Sequence, residues 1–372
     1  MNFDMTKTSP AQDASLRLKG KADFASQLVQ WQRKSGRHDL PWQKVLAPYR
    51  VWVSEIMLQQ TQVVTVISYF ERFMNRFPNV QTLANAHLDE VLGLWSGLGY
   101  YSRARNLHNC AKQVLEFHGG EFPKDFDTLQ TLPGIGPSTA AAIASICFKE
   151  RVPILDGNVK RVLCRLKGFD ADLSIAKNHK ELWEVALQEL PTAKADMPTY
   201  TQGIMDLGAT VCTPKNPKCS ECPVRKICDA NSKGNPLSYP VKSKRIKRAS
   251  ESLWMVCIEN TRNEIFLEQR SAKGIWAGLY CFPTFSNEEL CDQFINAMGA
   301  KNVQFVPVIT HALTHKELSL HVVKLSGFSK QKVDKFFSNT LQNVGHWMSQ
   351  EQWSGAGVPA PIRKVLIATA AH

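Results

Sequence analysis

Four cysteines, Cys212, Cys219, Cys222 and Cys228, stand in a C-x6-C-x2-C-x5-C pattern and restrict this chain more than any other feature. Four thiolates within seventeen residues can close around one metal centre, and the backbone between them must then fold around it. None of the other six cysteines (Cys110, Cys147, Cys164, Cys257, Cys281, Cys291) lies close to another in sequence. Such a set can ligate tetrahedral zinc or an iron–sulfur cluster. Two disulfides would need an oxidising compartment, and the opening run MNFDMTKTSPAQDASLRLKG is polar, with no apolar segment of a signal peptide. Structural zinc sites usually pair two short knuckles, and Cys219–Cys222 is a single one. The spacing leans towards iron–sulfur.

A chain of 372 residues normally divides into two or three domains, and a 44% apolar fraction lets each bury a core. The net charge of +12 and pI near 9.2 make a polyanion the first partner to consider. Residues 221–250 hold eight Lys or Arg against two acidic residues, half of that net charge. No run of eighteen uncharged apolar residues occurs, so no membrane span is expected.

From about Phe24 to Leu190 the pattern is helical. Ser54–Phe73 reads as one amphipathic helix with Ile56, Val63, Val64, Ile67, Phe70 and Phe73 on its stripe. Pro78, Pro123, Pro133 and Pro153 mark boundaries. Val159, Val162, Leu163 and Leu166 form a further helix opened by Asp156-Gly157-Asn158. Composition turns polar and basic over 231–250, a linker. Beyond it Leu253–Glu259, Glu264–Gln269 and Leu318–Leu325 read as strands, the first two joined by a Thr261-Arg262-Asn263 turn. Glu288–Met298 and Ile362–Ala371 read as helices. The C-terminal third is α+β.

Chemistry enters at three places. In Leu132-Pro133-Gly134-Ile135-Gly136-Pro137-Ser138-Thr139, two glycines permit a tight hairpin before a small-residue helix over Ala140–Phe148. The free N–H groups at that helix start suit a phosphate, although an ordinary helix–helix turn reads the same way. Asp156 precedes a helix as an N-cap, where backbone N–H groups should depress its pKa and keep it an anion beside a developing cation. Glu55 is expected at a helix start among Trp52, Val53, Ile56 and Met57, where partial burial keeps a proton available for donation.

The hairpin, Asp156 and the cysteine set together resemble the helix-hairpin-helix DNA glycosylases of the endonuclease III superfamily. The motifs Leu40-Pro41-Trp42, Ser54 to Val63 (SEIMLQQTQV), Gly97 to Leu107 (GLGYYSRARNL) and Asp156-Gly157-Asn158-Val159 resemble the superfamily's adenine-specific branch. The likeness runs from about Trp31 to Cys228 and resumes at Trp276–Pro283. It implies a mainly α N-terminal glycosylase domain with an iron–sulfur loop, followed by an α+β Nudix-like domain. The implied division is a tail at 1–22, a glycosylase domain at 23–230, a basic linker at 231–250 and a lesion-recognition domain at 251–372.

By that resemblance Glu55 protonates the adenine and Asp156 stabilises the oxocarbenium-like sugar, while Asn158 orients the site. Leu58 and Gln60 match residues near the void left by an extruded base, and Gly134 and Gly136 match the DNA-binding hairpin. The four cysteines would hold a [4Fe–4S] cluster. Lyase-active relatives carry a lysine where Ser138 stands, and a hydroxyl cannot form a Schiff base, so a monofunctional enzyme is expected. The Nudix-like domain lacks the Arg-Glu and Glu-Glu carboxylates that would hold Mg²⁺, so it should bind and not hydrolyse. Leu313-Thr314-His315 stands where the branch carries Phe-Ser-His to read 8-oxoguanine.

The expected function is excision of adenine opposite 8-oxoguanine or guanine in double-stranded DNA. The expected form is a monomer in a bacterial cytoplasm, associated with the nucleoid. A glycosylase/lyase for oxidised pyrimidines, a catalytically silent DNA-binding protein and a nucleotide-pool hydrolase are the competing readings. Ser138, the retained Glu55 and Asp156, and the missing Nudix carboxylates weigh against them in turn.

Overall fold

In a computed structural model of the chain, residues 23–243, 248–340 and 345–370 are described. The expected tail at 1–22, residues 244–247 of the expected linker and Ala371 of the expected last helix lie outside them. The chain divides into two compact units, Met1–Arg37 with Arg151–Val241, and His38–Glu150 with Lys242–His372.

In the first unit the helix Phe24–Ser35 starts on Asp23, whose carboxylate accepts from the Ser26 N–H at 2.7 Å. It packs on Met197–Asp206, where Phe24 meets Tyr200 edge-on at 6.0 Å. Buried Asp206 accepts from the Arg37 and Gln202 side chains, which satisfies its charge. The helix Gly157–Lys167 buries the expected Val159, Val162, Leu163 and Leu166, and Ala176–Gln188 lies against it. Met197–Asp206 runs on into a π-helical turn, Leu207–Val211, that ends at Cys212. Part of the stretch expected as linker belongs to this unit. Val241 accepts from the Leu173 N–H at 3.2 Å, and Tyr239 is buried.

In the second unit the helices Pro48–Leu58, Val63–Arg76, Val80–Ala84, Leu88–Trp95, Ser102–His118, Phe126–Thr131 and Pro137–Phe148 surround Trp52, Met57, Phe70, Phe73, Leu83 and Trp95. The single helix expected over Ser54–Phe73 is thus two. The first stops at Leu58, and Gln60 takes φ +58, a left-handed backbone that ends a helix. Periodicity did not reveal the break because the apolar spacing continues across it. Val64 is 80% exposed, and the second helix buries Val66, Phe70, Phe73 and Met74 instead.

The same unit carries a mixed sheet, whose strands are β1 (Ala249–Asn260), β2 (Ile265–Gln269), β3 (Tyr280–Cys281), β4 (Thr284–Phe285), β5 (Asn302–Phe305), β6 (Ile309–Ala312), β7 (Lys316–Phe328) and β8 (Gly345–Met348). The order is β3-β2-β1-β7-β5, with β4 on β1, β6 on β7 and β8 on β2. β1 and β7 pair in parallel from Ala249↔Lys316 to Ile258↔Leu325, which draws both strands out beyond the expected runs. One face packs Met255, Leu267 and Leu320 against Ile362, Val365 and Leu366 of the helix Ala360–Ala370. The other packs Val256, Ile258 and Phe266 against Cys291 and Ile295 of Glu288–Met298, and Val333 of Lys330–Thr340. Specific bonds tie this module to the helices beside it. The Ser96 and Tyr101 hydroxyls both donate to the Val358 carbonyl, at 2.9 and 3.1 Å, and Arg105 donates to the Ala277 carbonyl at 2.7 Å.

Candidate active site

The hairpin forms as expected. Leu132 and Ile135 are buried anchors, Gly134 and Gly136 are exposed, and the Ile135 N–H closes the turn on the Leu132 carbonyl at 3.1 Å. Gly134 has φ +77, and a Cβ there would stand 2.7 Å from the Asn106 Cβ, so both conformation and space require glycine. Gly136 caps Pro137–Phe148, whose residues Thr139 to Ile146 are buried. Ser138 sits half-buried in the first turn of that helix, where free N–H groups point outward.

Glu55 lies in the last turns of Pro48–Leu58, not at a helix start, because the helix begins earlier and ends sooner than its periodicity suggested. It is half-buried next to buried Ser54, Ile56 and Met57, as its surroundings in sequence implied. Leu58 is half-buried and Gln60 exposed. A cavity of about 270 Å³ brings Ile56, Gln60 and Gly134 together with Tyr100, Arg103 and Asn106. Glu55 and Leu58 are not among its lining residues. Tyr100 and Arg103 belong to the GLGYYSRARNL motif, whose sequence alone assigns neither a place in this cavity. No spacing shows that the Arg103 side chain reaches back to the Ile56 carbonyl at 2.8 Å.

In the other unit Asp156 caps Gly157–Lys167, accepting from the Val159 N–H at 2.7 Å and the Asn158 side chain at 3.5 Å. The expected depression of its pKa is overturned. Burial of the carboxyl raises it, outweighing the Val159 and Asn158 N–H groups and the Arg161 and Lys160 charges, which pull it down. Asn158 in turn accepts from Arg161 at 2.8 Å, and the same guanidinium donates to the Gly208 and Cys212 carbonyls at 2.6 and 2.7 Å.

One turn on, buried Arg165 donates to the Cys212 Sγ at 3.3 Å, the Thr213 carbonyl at 2.8 Å and the Pro214 carbonyl at 3.1 Å. The Cys228 thiol donates back to the Arg165 carbonyl at 3.3 Å. The sequence signal for this clamp is two arginines, Arg161 and Arg165, four apart within an apolar helix face. The four cysteines are brought together. Burial pushes the Cys222 thiol up to about 12, and Cys212, Cys228 and Cys219 all add to that shift. Thiols packed in this way need a cationic centre to ionise. Among the described residues no group of three or more His, Cys, Asp or Glu is set to hold a single metal ion. The donor set of four thiols, with the Arg165 guanidinium hydrogen-bonded to one of them, fits an iron–sulfur cluster.

Leu313-Thr314-His315 joins β6 to β7. Leu313 packs against the sheet core, while Thr314 and His315 are exposed. The Thr314 hydroxyl lies 2.9 Å from the Tyr100 hydroxyl.

Residues 53–188 match the HhH-GPD superfamily base excision DNA repair proteins, 212–228 the iron-sulfur binding domain of endonuclease III, and 254–368 the NUDIX domain. The helical glycosylase fold with its iron–sulfur segment, and the Nudix module after it, are thereby the expected ones. An adenine DNA glycosylase of Buchnera aphidicola from Schizaphis graminum is 38% identical, covering 92% of this chain and 97% of its own length. The human adenine DNA glycosylase is 34% identical over 92% of this chain and 73% of its own. A solved thermostable thymine-DNA glycosylase covers 56% of this chain and 95% of its own, with a TM-score of 0.50 at 28% identity. No helix among the described residues is long and apolar enough to cross a membrane.

Proposed function

The chain belongs to the adenine DNA glycosylases, DNA N-glycosylases of base-excision repair with a [4Fe–4S] cluster, and on that premise we propose that it excises adenine mispaired with 8-oxoguanine or guanine. One observation carries the assignment of roles: Asp156 is held as an N-cap by Val159 and Asn158 in a setting that resists its ionisation. A carboxylate kept at that cost is suited to a cation that develops next to it. Asp156 therefore stabilises the oxocarbenium-like sugar, Asn158 orients it, and Glu55 donates the proton that makes adenine a leaving group. Glu55 sits near the carbonyl end of its helix, where the dipole gives an anion no support.

Cys212, Cys219, Cys222 and Cys228 hold the cluster, which when bound supplies folding energy to the loop that Arg161 and Arg165 clamp. Gly134 and Gly136 present backbone N–H groups to a DNA phosphate, and Leu58 and Gln60 attend the space left by the extruded base. Ser138 supplies no amine, so base removal stops at the abasic site. Residues 23–230 act as the glycosylase part and 251–372 as the lesion reader, joined through 231–250, and the loop of Leu313, Thr314 and His315 meets the opposite base through its exposed Thr314 and His315. The protein acts as a monomer on nucleoid DNA in a bacterial cytoplasm.

The test uses purified, cluster-loaded protein and duplexes with adenine opposite 8-oxoguanine or guanine. Adenine is released from both, and strands break only after alkali. Breakage without alkali, or release of an oxidised pyrimidine instead, overturns the reading.

A further inference from the structure

Arg103 is buried, yet among the described residues no carboxylate pairs with it. Its guanidinium is spent on backbone. One terminal nitrogen donates to the carbonyls of Ile56, Met57 and Gln59 at 2.8, 2.9 and 2.6 Å. The other donates to the Thr61 hydroxyl and the carbonyls of Leu98 and Gly99 at 3.3, 3.2 and 3.1 Å. Its Nε is buried without a partner, a cost left standing. The Trp95 and Tyr100 rings flank the charge at 5.4 and 5.5 Å. Burial lowers the Arg103 pKa to about 10, which leaves it charged at neutral pH.

Two of these acceptors have a common feature. Gln59 and Gly99 immediately precede Gln60 and Tyr100, which have φ +58 and +50, conformations unfavourable for residues with a side chain. Both strained residues line the same cavity, as does Gly134 of the hairpin. A single planar fork therefore fixes the peptide plane ahead of each strained residue, and it also holds the last turn of the helix that carries Glu55. Lysine could not do this, because its three donors diverge from one point and lack a second nitrogen to serve the second loop.

We propose that Arg103 is a positioning residue for base extrusion, holding Gln60 and Tyr100 in left-handed conformations so that both side chains are presented to the space an extruded base vacates. Cost and geometry point the same way: an unpaired buried cation is retained where two unfavourable backbone conformations converge. The inference rests on the proposed role of Gln60 beside that space and is independent of the acid assigned to Glu55.

The test compares Arg103→Lys and Arg103→Met with Glu55→Gln, all full-length and cluster-loaded, at a temperature where each is fully folded. Duplex with 2-aminopurine in place of the target adenine reports extrusion by fluorescence, and adenine duplex reports release in a single turnover. At saturating protein, Arg103→Lys should lose about half or more of the fluorescence rise and slow release about tenfold or more, with Arg103→Met lower still. Glu55→Gln should lose release and keep the fluorescence rise. If Arg103→Lys folds, binds and keeps both signals within about twofold, the proposal is overturned. Release by Glu55→Gln sinks the acid assignment and leaves the Arg103 result standing. Should neither Arg103 variant fold, Thr61→Val removes one acceptor of the fork without orphaning the cation. Its fluorescence rise should fall, and an unchanged rise overturns the proposal.

Discussion

Asp156 and Glu55 are carboxyls at opposite ends of their helices, and each end is organised by arginine in a different way. Asp156 sits at the N–H end, and the Arg161 network behind it ties the same helix to the cysteine loop. Glu55 sits near the carbonyl end, where Arg103 takes the carbonyls that the broken helix leaves free. At the first end the dipole favours an anion, and burial nevertheless overrides it. At the second, Arg103 is turned to the backbone of the helix end. Position on a helix therefore does not by itself assign a charge state. What surrounds the carboxyl decides.

The largest expected effect tests that contrast directly. Glu55→Gln should abolish adenine release with duplex binding retained. Asp156→Asn should slow release by a factor of about a thousand or more. Because burial raises the Asp156 pKa, the folded state favours its protonated form, and ionised Asp156 costs stability at neutral pH. Asparagine also caps helices well, so Asp156→Asn should melt at or above the wild-type temperature. Wild-type stability should gain from this group as pH falls through its raised pKa, while release should fade over the same acid range. Calorimetry against pH and a single-turnover profile check both halves. A wild-type release rate flat to the ordinary carboxylate range would falsify the raised pKa.

Next in size is the metal. The purified protein should be brown, with about four irons per chain and broad visible absorption. Ser in place of Cys212, Cys219, Cys222 or Cys228 should lose iron and solubility, because the ligands contribute folding energy. The same change at Cys110 or Cys291, outside the set, should leave iron content intact. One zinc and no iron on metal analysis refutes the assignment.

What the sequence disclosed follows from how local the signal was. The cysteine spacing, the Asp156 cap, the hairpin glycines and the β1–β2 turn at Asn263 (φ +59) are each set within a few residues, and each was readable. The break at Leu58–Val63 was not, because apolar spacing runs through it and the Arg103 side chain that takes its carbonyls lies more than forty residues away. The Asp156 pKa is not legible in sequence, because the N-cap bonds are local and the burial that outweighs them is not. β3, β5, β6 and β8 are only two to four residues long and depend on the pairing partners β2 and β7.

The smallest expected effect concerns the loop between β6 and β7, and it sharpens the contrast by separating chemistry from recognition. Neither carboxyl lies in the sheet module, so changes there should spare catalysis. The loop's three residues do not present themselves alike. Leu313 packs into the sheet core, so it is poorly placed to act as the expected wedge without leaving that core. Thr314 and His315 are exposed, and the Thr314 hydroxyl already exchanges a hydrogen bond with Tyr100. Reading of an oxidised guanine should therefore fall to these two polar groups. Losing one such contact costs about 1–2 kcal/mol, roughly five- to thirtyfold in discrimination. Thr314→Ala and His315→Ala should lower the ratio of single-turnover rates on 8-oxoguanine and guanine duplexes by amounts in that range. Leu313→Ala should lower stability first, through the cavity it leaves, with less change in that ratio. If all three variants lower both rates equally, the loop serves general binding, and discrimination must reside among the helices that carry Gln60 and Tyr100.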